Sequence, residues 1–67
     1  MAEARAGQRY RKVDAVPVVW EVVAVRPDLE GMRHCRIVDV NDRTTSKLIS
    51  EKTLTNPKFY HLIAEAR

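Results

Sequence analysis

Ten residues, Val16-Pro-Val-Val-Trp-Glu-Val-Val-Ala-Val25, constrain this chain more than any others. Six are valine and one is tryptophan. Such side chains are stiff at χ1 and fit a pleated surface better than a helix. Pro17 cannot donate to a strand ladder, so it belongs at the beginning or the edge of the strand. Strict alternation puts Trp20, Val22 and Ala24 on one face and Val19, Glu21, Val23 and Val25 on the other. Both faces are apolar apart from Glu21, which predicts a strand that is curved or covered on both sides.

The flanking residues extend this into a sheet. In Arg26-Pro-Asp-Leu-Glu-Gly31 the proline pre-sets a turn and Gly31 offers the left-handed conformation that closes a hairpin loop. Met32–Val40 reads as the returning strand, with Cys35 and Ile37 on one face and His34, Arg36 and Val38 on the other. Asn41, Asp42 and Arg43 make a second turn, and Thr44–Ser50 a shorter third strand. Glu51–Pro57 reads as a tight helical turn or loop, and Phe59–Ile63 as a closing strand. An alternative stands for this last segment. Asn56 could cap a helix with Pro57 at its first position. Phe59, Leu62, Ile63 and Ala66 would then form its apolar stripe. The fold class is therefore mainly β, a small antiparallel bent sheet or barrel of four to five strands with a short helical turn before the last strand. The alternative is a three-stranded sheet with a C-terminal helix.

The chain has 67 residues, which suits one domain. A domain of this size buries roughly 60% of its unfolded surface and is marginal on that ground alone. Cys35 is the only cysteine, so no internal disulfide can form, and a reducing, cytoplasmic setting is expected. No window approaches the ~18 apolar residues of a membrane span, and Met1–Gly7 lacks the apolar core of a secretory signal. No membrane association is expected. The formal charge is +3. Residues 1–12 carry Arg5, Arg9, Arg11 and Lys12 against Glu3, whereas residues 13–67 hold eight basic and eight acidic residues. Residues 1–9 lack apolar periodicity and are expected to be a flexible basic arm, with residues 10–67 forming the domain.

The order of long hairpin, short strand, tight turn with a buried leucine and final short strand resembles the SH3-like small barrels, which include KOW-type and Tudor-type modules. The residues that carry the likeness are the Trp20 strand, the Pro27–Gly31 loop, Lys47–Ser50, and Leu54 followed by Asn56, Pro57 and Tyr60–Ile63. The chain is also similar to small bacterial proteins with a mid-strand tryptophan and no assigned activity. The resemblance implies a fold, and SH3-like barrels host many unrelated functions. One departure from the KOW pattern is that no glycine stands in the expected turn before the first long strand.

The residues give little support to catalysis. His34, Cys35 and His61 are the only soft ligands, and adjacent strand residues point to opposite faces, so a four-ligand zinc site is not expected. Cys35 has no base and orienting group placed beside it by sequence and reads as a small core hydrophobe. Trp20 reads as the main core anchor. No cofactor and no enzyme activity are expected. Candidates for nucleic-acid contact are Arg9, Arg11, Lys12, Arg33, Arg36 and Lys47, with Tyr10 and Tyr60 as candidates for base stacking. Charges on the outer face of a sheet also guard its edges against pairing, which is the plainer account of them. The expected function is a non-enzymatic binding module that contacts nucleic acid through the arm and one sheet face. The alternative is a protein-interaction or homo-oligomerisation domain that completes its sheet with a partner, so that monomer and homodimer both stay open.

Overall fold

A computed structural model describes residues 3–14 and 16–66. Five strands form one antiparallel sheet: β1 (Arg9–Lys12), β2 (Val19–Pro27), β3 (Arg33–Asp39), β4 (Asp42–Ser50) and β5 (Tyr60–Ala64). The spatial order is β4-β3-β2-β1-β5, so the two ends of the sheet are strands adjacent in sequence. One helical turn, α1 (Glu51–Leu54), joins them. Ser50 caps α1 through its hydroxyl, which accepts from the Thr53 N–H. Among the described residues, no helix is long and apolar enough to cross a membrane.

The mainly β expectation is met, including the helical turn before the last strand. The C-terminal helix does not form. The Asn56 carboxamide oxygen accepts from the Lys58 N–H at 2.9 Å, and the Asn56 carbonyl accepts from Phe59 N–H at 2.9 Å and Tyr60 N–H at 3.1 Å. These bonds tie off a turn that delivers Tyr60 into a strand against β1. Pro17 precedes β2, as its missing N–H requires.

Alternation along β2 does not run through. Val22 pairs with Ile37, but the next pair is Ala24 with Arg36, so Val23 is an extra residue in a β-bulge. Beyond it the phase reverses. Trp20 and Val22 face the core before the bulge and Val25 packs against it after, while Val23 is exposed. The expected grouping of Ala24 with Trp20 and Val22 is thereby corrected.

The core consists of Ala4, Tyr10, Trp20, Val22, Cys35, Ile37, Leu54 and Tyr60. Leu54 of α1 is completely buried against one side of the sheet. The same side is covered by the N-terminal segment, where the expectation of a free arm does not hold. Ala4 is 0% exposed. Its N–H donates to Glu51 Oε2 at 2.9 Å and its carbonyl accepts from Arg33 Nη2 at 3.3 Å. Gly7 N–H donates to the Val22 carbonyl at 2.8 Å, and Val22 N–H donates to the Gln8 carbonyl at 2.9 Å. Gln8 is buried and bonded through both ends of its carboxamide. Its carbonyl oxygen accepts from Arg5 N–H and the Tyr10 hydroxyl, and its amide donates to Glu65. The part of the expected arm that comprises residues 1 and 2 lies outside the described residues.

Two outcomes check this account. Removing residues 1–8 is expected to lower the urea midpoint strongly, because it strips Ala4 and Gln8 from the core; a free arm would leave the midpoint unchanged. Leu54→Ala is expected to cost about 2–5 kcal/mol in the same measurement.

Candidate nucleic-acid interface

Paired residues on neighbouring strands share a face, so the register sorts the side chains. Four rows cross the outer face, the side away from Leu54. The first holds Arg26, His34 and Ser50, and the second Ala24, Arg36 and Leu48. The third holds Arg9, Glu21, Val38 and Ser46. The fourth holds His61, Arg11 and Val19. Rows two residues apart lie about 7 Å from each other, so the arginines span roughly 20 Å.

The face is strongly cationic. Arg9, Arg11, Arg26 and Arg36 spring from it, and Arg43 reaches onto it from β4 to meet Glu21. Every cation there is an arginine. The lysines Lys12, Lys47, Lys52 and Lys58 stand elsewhere. Glu21 is the one carboxylate in these rows. Arg9 Nε donates to its Oε1 at 3.1 Å, and Arg43 Nη1 to its Oε2 at 3.2 Å. Arg43 must cross β3 to make this bond, and Val38, the cross-strand neighbour of Glu21, is buried. The hydrogen bond from Arg43, then that from Arg9, holds the Glu21 carboxyl below its ordinary value. Arg11, Arg26 and Arg36 have no carboxylate within 4.0 Å among the described residues.

The sequence candidates divide accordingly. Arg9, Arg11 and Arg36 lie on this face. Lys12 pairs with Tyr60 on the inner side of the sheet. Lys47 pairs with Ile37, not with Arg36, and its ammonium sits 4.4 Å from the centre of the Trp20 ring, a cation–π contact. It therefore does not join His34 and Arg36. Arg33 faces away from Arg36 and is held by Glu51 at 3.0 Å. Tyr10 and Tyr60, the stacking candidates, are 3% and 4% exposed and offer no ring face to a base. Burial is the main cause that raises the Tyr10 hydroxyl pKa.

Arg26 and Arg43 were missed. Regular alternation puts Arg26 with Trp20 and Val22, and only the bulge at Val23 moves it to the outer face. The irregular register between Val38 and Asp39 hides Arg43 in the same way. No sequence signal marks either irregularity apart from the excess of valines.

Other chemistry finds little footing. Cys35 is 0% exposed, and burial pushes its thiol up, away from the reactive thiolate. His61 pairs with Arg11 on the opposite face from Cys35. Among the described residues, no group of three or more His, Cys, Asp or Glu side chains is placed to hold a metal ion. Comparison with family models, curated proteins and solved structures returned no match to this chain.

The Glu21 pairs give a pH signature. A carboxyl with a depressed folded value stabilises the fold above its unfolded value of about 4.3, and that contribution disappears as pH falls through the folded value. Glu21→Gln is expected to lose about 1 kcal/mol at pH 7. At pH 2 the two proteins should have equal urea midpoints; a difference that persists there would place the effect outside the ion pairs.

Proposed function

We propose that this chain is a small non-enzymatic binding module of SH3-like type that holds the phosphate backbone of a nucleic acid on its outer sheet face. The observation that carries the reading is the set of five arginines sharing that face with one carboxylate. Arginine presents a planar fork that matches a phosphate in two-point contact, which lysine does not. The strand order and the helical turn before β5 support the SH3-like assignment. Arg11, Arg26 and Arg36 make the contacts directly, while Glu21 competes for Arg9 and Arg43.

The reading is tested by fluorescence anisotropy with a labelled single-stranded oligonucleotide across a salt series. Three phosphate contacts give a slope of log K against log salt of about −2. Arg11→Gln, Arg26→Gln and Arg36→Gln should each flatten it by about 0.7. Lys12→Gln, Lys47→Gln and Arg33→Gln remove the same charge from other places and should leave the slope unchanged. Glu21→Gln should tighten binding several-fold by releasing two guanidiniums. Equal effects from both sets of variants would mean general charge attraction and no defined face.

A second reading rests on β5. This edge strand carries no charged side chain, and Phe59, Leu62 and Ile63 beside or within it are about half exposed. Such an edge suits strand addition by a protein partner or a second copy. Sedimentation equilibrium separates the two: a homodimer dissociated by Leu62→Lys favours the edge, and a monomer that binds oligonucleotide favours the arginine face.

A further inference from the structure

At one end of the arginine face the surface dips. A hollow of 390 Å³ is lined by Ala24, Pro27 and Leu48, with Arg26, Arg36, His34 and Asp28 around it. Its walls come from three strands and the β2–β3 loop, so secondary structure holds most of its shape. The loop rim is fixed as well. Asp28 Oδ1 accepts from Glu30 N–H at 2.8 Å and Met32 N–H at 3.0 Å, and Asp28 N–H donates to the Met32 carbonyl at 2.8 Å. Gly31, at a φ of +83°, closes the loop in a conformation that L side chains rarely adopt. The other Asp28 oxygen lies 3.8 Å from His34 Nδ1, at the edge of the hollow.

The contents of this hollow are chemically mixed in a particular way. Its apolar lining is Ala24, Pro27 and the exposed Leu48, two guanidiniums without a carboxylate partner among the described residues flank it, and at the rim the single carboxylate, Asp28, stands beside the His34 imidazole. An apolar floor has no use for a phosphate, and guanidiniums have no use for a purely apolar guest. A nucleotide unit with its base unpaired satisfies both, with the base on Ala24 and Leu48 and its flanking phosphates on Arg26 and Arg36. The volume lies near the lower end of the roughly 300–1,000 Å³ of small-ligand pockets, which suits one such unit. A larger depression beside Tyr10 and Tyr60 carries Glu3 and Glu65 against one arginine, Arg5, whose guanidinium lies 3.8 Å from Glu65, so its carboxylates outnumber its arginine.

Resting on the phosphate-binding reading above, we infer that this hollow admits one unpaired base, so that the domain selects single-stranded over double-stranded nucleic acid. A paired base is stacked inside its duplex and cannot enter. Phosphate attraction alone favours the opposite order, because a duplex carries about one charge per 1.7 Å of axis. A single-strand preference is therefore diagnostic of the base.

The test compares four probes of equal nucleotide length per strand: oligothymidylate, oligouridylate, an abasic deoxyribose-phosphate tract, and a thymidine–adenine duplex. Wild-type protein is expected to bind the first two several-fold more tightly than the abasic tract, less than a base stacked on an aromatic ring would supply, because the hollow is lined by aliphatic side chains and guanidiniums. Ala24→Ile fills the apolar part of the hollow while every arginine, including its cross-strand partner Arg36, stays in the chain. It should reduce binding of oligothymidylate to the abasic level and leave abasic binding and its salt slope as in wild type. An unchanged thermal midpoint for Ala24→Ile shows that the fold is intact, and Leu48→Ser provides a second variant from a different strand. Equal affinity for oligothymidylate and the abasic tract overturns the base-binding inference while leaving the phosphate-binding face in place. A tighter grip on the duplex overturns it as well. Absence of binding to all four probes at low salt removes both readings.

Discussion

The bulge at Val23 decides what each side of this sheet contains. The valine-rich run has more apolar residues than one face of a strand can bury, and its last charged residue, Arg26, falls in phase with Trp20 and Val22. Unbroken alternation would turn Arg26 towards the core and Val25 towards water. One extra residue reverses the phase. Val25 then packs beside Cys35, its partner on β3, while Ala24 and Arg26 move outward next to Arg36 and His34. The bulge forms next to a fixed point, since Val22 is bonded to Gly7 and Gln8 on one side and paired with Ile37 on the other. Without this bulge the chain would have neither its full core nor its arginine face.

A domain this small has little apolar surface to close over its sheet, and no disulfide to assist. Closure comes instead from a strap of residues 4–8 held by polar groups. Glu51 Oε2 accepts both from the Ala4 N–H and from Arg33 Nε, and Arg33 in turn donates to the Ala4 carbonyl. Gln8 forms the second node, joining the strap to Tyr10 and to Glu65 beyond β5. The first and last turns of the chain are thus fastened to each other. This arrangement explains why Arg33, a natural candidate for ligand contact, serves the fold.

The strands were legible because β-branched runs end at turn residues, Pro27 with Gly31, Asn41, and Asn56 with Pro57, although Asp42 and Arg43, read as part of the second turn, open β4 and make it nine residues long. The strap and β1 were not. Their residues are polar or small, and what fixes them lies far along the chain, Glu51 for Ala4 and Glu65 for Gln8. Local periodicity carries no trace of such partners. The site divided along the same line. Arg36 could be assigned with His34 by alternation within its own strand, whereas Arg9 and Arg11 were candidates by charge alone and reach the same face through β1. Arg26 and Arg43 required knowledge of register breaks, and Lys47 required the pairing of β3 with β4. The tyrosines were misread for a related reason, since the same ring serves stacking or burial and only the strap decides that Tyr10 is covered.

The outer face is also uneven, and the unevenness follows from where Glu21 stands. It occupies the middle of the four rows and draws Arg9 and Arg43 towards itself, which partly neutralises the centre. Arg11 remains at one end, and Arg26 and Arg36 at the other. A phosphate chain laid along β2 therefore meets one unpartnered guanidinium, then a screened stretch, then two beside an apolar hollow. The two unpartnered guanidiniums stand at the end that carries the hollow, so in the proposed binding mode the two contributions would reinforce each other there. An anion without a base gains only the first of them, and an apolar guest without charge only the second. On the proposed reading, selectivity on this face would come from their coincidence at Arg26, Arg36 and Leu48, and those residues share an end of the face because of the extra residue at Val23.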